Sequence, residues 1–109
     1  MIYQWNDKNR EHIARHGVKP EEAQEVGERA KRRFPRKIED EKFLVWGQSV
    51  TGRWLQVILV HLPDESVDFG SLSPIERIRF EGGESVGLII QAREMTADQK
   101  RQYRRGKRQ

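Results

Sequence analysis

The first third of the chain predicts two helices, each with a recognisable beginning. Asn6 is a residue type that caps helix N-termini, and Gly17 supplies the left-handed conformation that often follows the last turn, so a first helix is predicted over 7–15. Pro20 suits the first position of a second helix, because its missing N–H would have no partner there. Phe34-Pro35 must end that helix, since proline cannot continue it.

Extended segments make up the middle of the chain. A short apolar-rich run at 2–5 predicts a first strand before the helices. The runs 43–49 and 54–61 are rich in aromatic and β-branched residues, and the turn between them predicts a β-hairpin. Alternation of apolar and polar residues over 75–80, followed by a double glycine and the run 85–92, predicts a second hairpin.

The order of these elements predicts the fold class. Thr96 and Gln99 stand at the spacing of a capping box and predict a final, charged helix, whereas 63–73 has the Pro, Gly, Ser and acidic residues of a loop. The chain is therefore expected to be α+β, with a small antiparallel sheet, N-terminal helices packed on one side and a C-terminal helix. A length of 109 residues leaves room for a single domain, 1–109.

Charge is segregated along the chain, although the net charge is only +4. The segment 31–37, predicted to be a loop, holds five basic residues, and the tail 100–109 holds six, while the remainder has ten basic and 17 acidic residues. Basic patches suit a polyanion such as RNA, because each neutralised phosphate releases counterions; solvated charge without a specific ligand explains them equally well. The candidate RNA-binding residues are Lys31, Arg32, Arg33, Arg36, Lys37, Lys100, Arg101, Arg104 and Arg105.

Composition excludes several classes of protein. The chain has no cysteine, so disulfides, a thiolate nucleophile and a sulfur-rich zinc site are ruled out. No apolar run is longer than Val57–Val60, which is far short of the ~20 residues of a membrane helix, and the N-terminus has no signal-peptide pattern, so a soluble cytoplasmic protein is expected. Neither a P-loop nor a nucleophile elbow is present, and no cofactor is expected.

Histidines offer one kind of chemistry. His12 and His16 are four residues apart and share a helix face, but they lack the His-Glu-x-x-His pattern and the third His, His61, stands in a strand, so no metal site is expected. An imidazole exchanges protons near neutral pH, and His16 beside a phosphate would serve RNA cleavage. The alternative is that His16 only bonds a carbonyl of the last helical turn.

Two arginines and a tyrosine offer another kind. Arg53 leaves the hairpin turn and Arg93 ends the last strand, where a guanidinium can be held rigidly to stabilise the charge that a phosphate gains in the transition state. Each is equally well explained by a surface ion pair. Tyr103 can exchange a proton or stack on a base, or it can simply dock the terminal helix. Trp46 and Trp54 are expected to supply core area rather than a site.

Three blocks of sequence together resemble BrnT-type toxins. They are Trp5–Asn9 with Arg15–Val18 and Glu21–Ala23, then Gly47–Ser49 with Thr51–Arg53 and Leu55, and finally Ala92–Thr96 with Lys100, Arg101 and Tyr103. The sequence departs from the family pattern at Asn6, where the family commonly has Asp, and at Gln91, where it commonly has Ser. The segment 63–84 is longer than the family's usual short turn, and an added hairpin is expected there.

The resemblance implies a function as well as a fold. It implies a RelE-like ribonuclease fold and a type II toxin that acts as a metal-independent endoribonuclease on mRNA. A BrnA-type antitoxin with a ribbon-helix-helix unit would neutralise it, so that DNA is contacted only through the complex. The family pattern points to His16, Arg53, Arg93 and Tyr103 as the catalytic residues. A non-catalytic module that binds nucleic acid or the antitoxin is the alternative.

Overall fold

A computed structural model describes residues 1–31 and 33–108, the last three of these by their backbone alone. Its elements in chain order are β1 (Ile2–Gln4), α1 (Asp7–Ala14), α2 (Pro20–Glu28), β2 (Arg36–Glu39), β3 (Lys42–Gln48), β4 (Trp54–Leu62), α3 (Pro74–Glu81), β5 (Val86–Glu94) and α4 (Ala97–Arg108). The five strands form one sheet in the order β1-β5-β4-β3-β2. The α+β class predicted from the sequence is therefore confirmed.

Asparagine side chains start α1 and attach it to the sheet. Asn6 Oδ1 accepts a 2.9 Å hydrogen bond from the backbone N–H of Asn9, whose own Oδ1 accepts one of 2.7 Å from the backbone N–H of Asn6. This reciprocal capping satisfies two N–H groups that the helix leaves unpaired. The amide Nδ2 of the buried Asn9 then donates to the carbonyl oxygens of Gln4 and Ile89, both at 3.2 Å. The predicted N-cap is thus confirmed, and it also holds α1 against β1 and β5.

Helices α1 and α2 cover one face of the sheet, and the main core lies between them and the strands. Leu55, Val57 and Leu59 alternate along β4 and are at most 1% exposed. Gly47, which pairs with Leu55, faces α2, since a Cβ atom built on it would lie 3.4 Å from Val26. Burying each such side chain contributes about 1.5 to 3 kcal/mol, and this holds the helices to the sheet.

The second predicted hairpin is wrong, because 75–80 belongs to the helix α3. Ser73 Oγ accepts from the N–H of Glu76 at 3.2 Å, Glu76 Oε1 accepts from the N–H of Ser73 at 2.8 Å, and Pro74 occupies the first helical turn. These start signals outweigh the alternation from which a strand was predicted. Ile75 and Ile78, one helical turn apart, are 71% and 70% exposed. The segment 63–84 therefore adds a helix and two short 3-10 turns, not a hairpin.

Two further expectations need correction. The sheet is mixed rather than antiparallel, because β1 runs parallel to β5 with Ile2 opposite Val86. Arg36 and Lys37 lie in β2, not in a loop; this strand is exposed throughout and pairs with β3. A charged edge strand has no alternating apolar pattern to reveal it, and its charges discourage pairing with other chains.

The hairpin of β3 and β4 and the final helix α4 are confirmed. No helix in the described ranges is both long and apolar enough to cross a membrane.

Candidate nucleic-acid interface

The fold brings the two basic segments of the sequence together. Arg33, in the loop before β2, donates from Nη2 to the backbone carbonyl of Gln102 in α4 at 3.1 Å. The Phe34 ring stacks on that of Tyr103, with centroids 6.1 Å apart and planes 22° from parallel. Residues 69 positions apart in sequence are thus neighbours on one surface.

An aromatic cluster fixes this junction. It consists of Phe34, Trp46, Trp54 and Tyr103, whose ring centroids are 5.7 Å apart for Phe34 and Trp46 and 5.4 Å apart for Trp54 and Tyr103. Phe34, Trp46 and Tyr103 are buried, and Trp54 is half-buried. Trp46 donates its indole N–H to Gln56 Oε1 at 3.0 Å, which satisfies its polar atom in the interior. Tyr103 therefore docks α4, which was one of the two roles that the sequence allowed for it. The ring of Trp46 supplies buried core area, as the sequence predicted.

Guanidinium groups lie over the cluster. The Cζ atoms of Arg33 and Arg36 are 5.5 and 5.3 Å from the centroid of the Phe34 ring, within the range of a cation–π contact. The ring holds these flexible side chains near the sheet while leaving them exposed. Their charges are therefore displayed at a defined place.

Most cations of this region have no acidic partner. Lys37 pairs with Asp40 at 3.6 Å, and Arg101 pairs with Asp98. Across residues 1–31 and 33–105, no carboxylate lies within 4.0 Å of the other candidate side chains. We call these the cationic surface: Lys31, Arg33, Arg36, Lys100, Arg104 and Arg105. Arg32, also a candidate RNA-binding residue, lies outside the described residues.

A small cleft opens beside the aromatic cluster, at the edge of β3. Strand β2 pairs with β3 only as far as Leu44, so the final residues of β3 have no strand beside them on that edge. The cleft there has a volume of about 50 Å³. Its lining residues, none of them acidic, are Arg29, Lys31, Gly47, Gln48, Trp54 and Tyr103. Arg29, the residue after the last turn of α2, was not among the predicted site residues, because it stands outside the basic segment 31–37 and carried no distinct signal.

Arg53 lies at the centre of an ion-pair network on the helix-covered face. Its Nη1 is 2.8 Å from Glu22 Oε1 and 2.9 Å from the carbonyl oxygen of Gly17, and its Nη2 is 3.3 Å from Glu94 Oε1. Glu22 is only 8% exposed and also accepts from the hydroxyl of Thr51 and from a backbone N–H. This arrangement corresponds to the ion-pair alternative for Arg53, since two carboxylates already neutralise its charge.

The strand register separates the surroundings of the two arginine candidates. Glu94, a partner of Arg53, lies opposite the buried Leu55, on the face that the helices cover. Arg93 lies opposite Gln56, on the face of the aromatic cluster, where Gln56 accepts a 2.8 Å hydrogen bond from Gln99 of α4. Successive side chains of a strand point to opposite faces. Of the two, Arg93 therefore shares a face with Tyr103 and the cationic surface.

His16 lies away from that face. It is exposed in the turn after α1, adjacent to Gly17, whose carbonyl accepts from Arg53. Its ring centroid is 6.4 Å from that of His12. His61 lies instead beside Glu41, with Nδ1 3.6 Å from the carboxylate. Within the described part of the chain, no three His, Asp or Glu side chains are grouped so that they could hold a metal ion.

No family model, curated protein or solved structure matches this chain. The resemblance to BrnT-type toxins thus remains a prediction from the sequence.

Proposed function

We propose that this chain is a metal-independent endoribonuclease of RelE-like fold, the toxin of a type II toxin-antitoxin pair similar to the BrnT type. The observation that carries the proposal is the meeting of two basic segments around one aromatic cluster. Proteins that bind single-stranded RNA combine cations along the backbone with aromatic rings, and here cations without acidic partners lie beside the half-buried ring of Trp54. The proposed partner is a BrnA-type antitoxin, with DNA bound only through the complex.

Electrostatics makes the RNA-binding part of the proposal quantitative. If the six side chains of the cationic surface each neutralise one phosphate, log K falls with log salt at a slope of about −4 for a single strand. A fourfold rise in salt concentration then weakens binding by roughly 250-fold. A protein that binds RNA through hydrogen bonds to bases alone would show a much smaller dependence.

The proposed reaction uses the RNA's own 2′-hydroxyl as the nucleophile. Its oxygen attacks the adjacent phosphorus and the P–O5′ bond breaks, which leaves a 2′,3′-cyclic phosphate and a 5′-hydroxyl. One protein group accepts the 2′ proton and another supplies a proton to the 5′ oxygen. Tyr103 is the candidate on the face of the cationic surface, and His16, the other candidate, lies away from that face and takes part only if the RNA also reaches the Arg53 network. Arg93 stabilises the extra negative charge on the phosphate. The guanidinium of Arg53 must first break its hydrogen bond to Glu94 and contact the phosphate instead before it can stabilise the same charge.

Cleavage of a mixed-sequence RNA by the purified chain, at low salt and with EDTA present, tests the proposal. We expect cleavage by the parent and by Arg77→Ala, and none by Arg93→Ala. Arg77 is a matched control because it carries the same charge but lies on α3, against the ring of Phe69. Cleavage by Arg93→Ala at the parental rate would overturn the assignment of Arg93.

The geometry at Arg53 favours a second candidate function, a binding module without catalysis. Two carboxylates hold its guanidinium, and His16 stands at this network instead of beside the cationic surface. Such a module retains RNA in a salt-dependent manner and never shortens it. The same assay therefore separates the candidates: RNA that is bound at low salt and recovered at full length favours the binding module.

A further inference from the structure

We infer that the cleft at the edge of β3 is a nucleotide subsite, with a phosphate held by Arg29 and Lys31 and a base lying against Trp54. The inference rests on the proposed function, because it names the part of an RNA that this place would take. The cleft joins the cationic surface through Lys31, which belongs to both. A strand lying on that surface passes the cleft.

The charge of the cleft points to an anion. Arg29 and Lys31 are exposed, and in the described ranges neither side chain has a carboxylate within 4.0 Å. Arg53 gives the contrast, since its guanidinium is held by Glu22 and Glu94. Two cations that meet over one cleft without an acid repel each other until an anion lies between them. A guanidinium and an ammonium are also the two donors that bind phosphate oxygens best.

The size and the remaining walls of the cleft point to a nucleotide. A volume of about 50 Å³ is far below the ~300 to 1,000 Å³ of pockets that enclose a whole ligand, so the cleft suits a single group such as phosphate. The base then lies outside, where the half-buried indole of Trp54 offers a stacking surface. Gln48 donates its Nε2 to the carbonyl of Gly52 at 3.1 Å, which leaves its side-chain oxygen as an acceptor at the same rim.

Binding of small probes tests this subsite directly. The indole N–H resonance of Trp54, identified by its loss in Trp54→Phe, is followed by NMR while adenosine 5′-monophosphate, adenosine or inorganic phosphate is added. We expect the nucleotide to shift this resonance at concentrations where adenosine leaves it unchanged, and to bind more tightly than inorganic phosphate. Equal responses to adenosine and its monophosphate would overturn the phosphate contact, and equal affinity for inorganic phosphate would overturn the base contact.

Charge-neutral variants link the subsite to RNA. Arg29→Gln and Lys31→Gln should each reduce the salt slope for a short oligoribonucleotide by about 0.7, the value for one lost phosphate contact, whereas Arg77→Gln on α3 should leave it unchanged. An Arg29→Gln slope equal to that of Arg77→Gln would refute the subsite. Nucleotide binding by a chain that never cleaves RNA would leave the subsite standing and refute the nuclease. Cleavage of RNA without a nucleotide response at Trp54 would support the nuclease and refute the subsite.

Discussion

Replacing Arg53 tests whether its network serves the fold. Arg53→Met keeps most of the aliphatic stem but removes three hydrogen bonds, to Glu22, Glu94 and the carbonyl of Gly17. The side chain of Glu22 is only 10% exposed. Its carboxylate would therefore lose the charge of Arg53 in a place where water compensates poorly for the loss. We expect the free energy of unfolding to fall.

The magnitude follows from the exposure of each partner. A hydrogen bond to a buried charged group contributes about 1.5 to 3 kcal/mol, and the lower end applies here because the Arg53 side chain is 30% exposed and partly screened. The contact with Glu94 adds under about 1 kcal/mol, since that side chain is 68% exposed. The sum for Arg53→Met is therefore about 1.5 to 2.5 kcal/mol.

Urea unfolding of the single and double variants measures these contributions separately. A cycle of Arg53→Met with Glu22→Gln should give a coupling energy above about 1 kcal/mol, and a cycle with Glu94→Gln one below about 0.5 kcal/mol. The slope against urea should stay constant if only the native state is affected. A loss below about 0.5 kcal/mol for Arg53→Met, or equal coupling to both acids, would refute the reasoning.

Other sites give predictions with equally definite signs. Gly27→Ala should destabilise the chain by about 1 to 3 kcal/mol although alanine is the better helix former, because the new Cβ would overlap the hydroxyl of the buried Tyr3. An increase in the urea midpoint would contradict this. Burial, with a smaller contribution from a nearby carboxylate, raises the pKa of Tyr3 to about 12. The contribution of the buried, neutral Tyr3 phenol to the free energy of unfolding is therefore complete below pH ~10 and lost as the pH rises through about 12. Ultraviolet titration of the phenol checks this. Hydrogen bonds from Arg79 and the N-terminus lower the pKa of Glu84 to about 2. The ionised Glu84 therefore stabilises the folded chain above the ordinary carboxyl pKa, and this stabilisation is lost as the pH falls towards 2. Carboxyl NMR should find that midpoint and see it rise in Arg79→Ala. Tyr103→Phe should keep α4 docked, so loss of RNA cleavage in that variant would assign a role to the hydroxyl, and full activity would leave Tyr103 with docking alone.

Local signals in the sequence were sufficient for much of the fold. The cap at Asn6, the proline at Pro20 and the Thr96 capping box each act within a few residues, and the structure begins helices α1, α2 and α4 where these signals predict. The hairpin of β3 and β4 could also be predicted from the sequence, because β-branched and aromatic residues flank a short turn. Such features depend on neighbours in the chain, so a single sequence reveals them.

The errors arose where two signals competed or where none was present. Over 75–80 the alternation of apolar residues predicted a strand, but the capping box at Ser73 and the proline after it produced α3. The edge strand β2 consists of exposed, mostly charged residues and exists only because β3 offers unpaired backbone groups. Parallel pairing of β1 with β5 joins residues 84 positions apart, a contact for which one sequence carries no local trace.

The candidate site shows the same division between local and long-range information. Sequence alone proposed residue types, including arginines for a phosphate and a basic tail, but it grouped Arg53 with Arg93 because both stand beside strand ends. Register decides otherwise: one residue of offset along β5 directs Glu94 towards the helices and Arg93 towards α4.

The placement of the cationic surface depends on a small part of the core. Every residue of α4 from Ala97 to Arg105 except Tyr103 is exposed or half-exposed. The helix is therefore attached by that ring and by the hydrogen bonds from Gln99 to Gln56 and from Arg33 to the carbonyl of Gln102. Phe34, on the other side of the same stack, holds Arg33 and Arg36. Loosening the stack would therefore separate the two basic segments while leaving the sheet intact. A loss of RNA binding after such a change would reflect the position of the charges, not their number, and only variants that keep the ring can reveal chemistry at this surface.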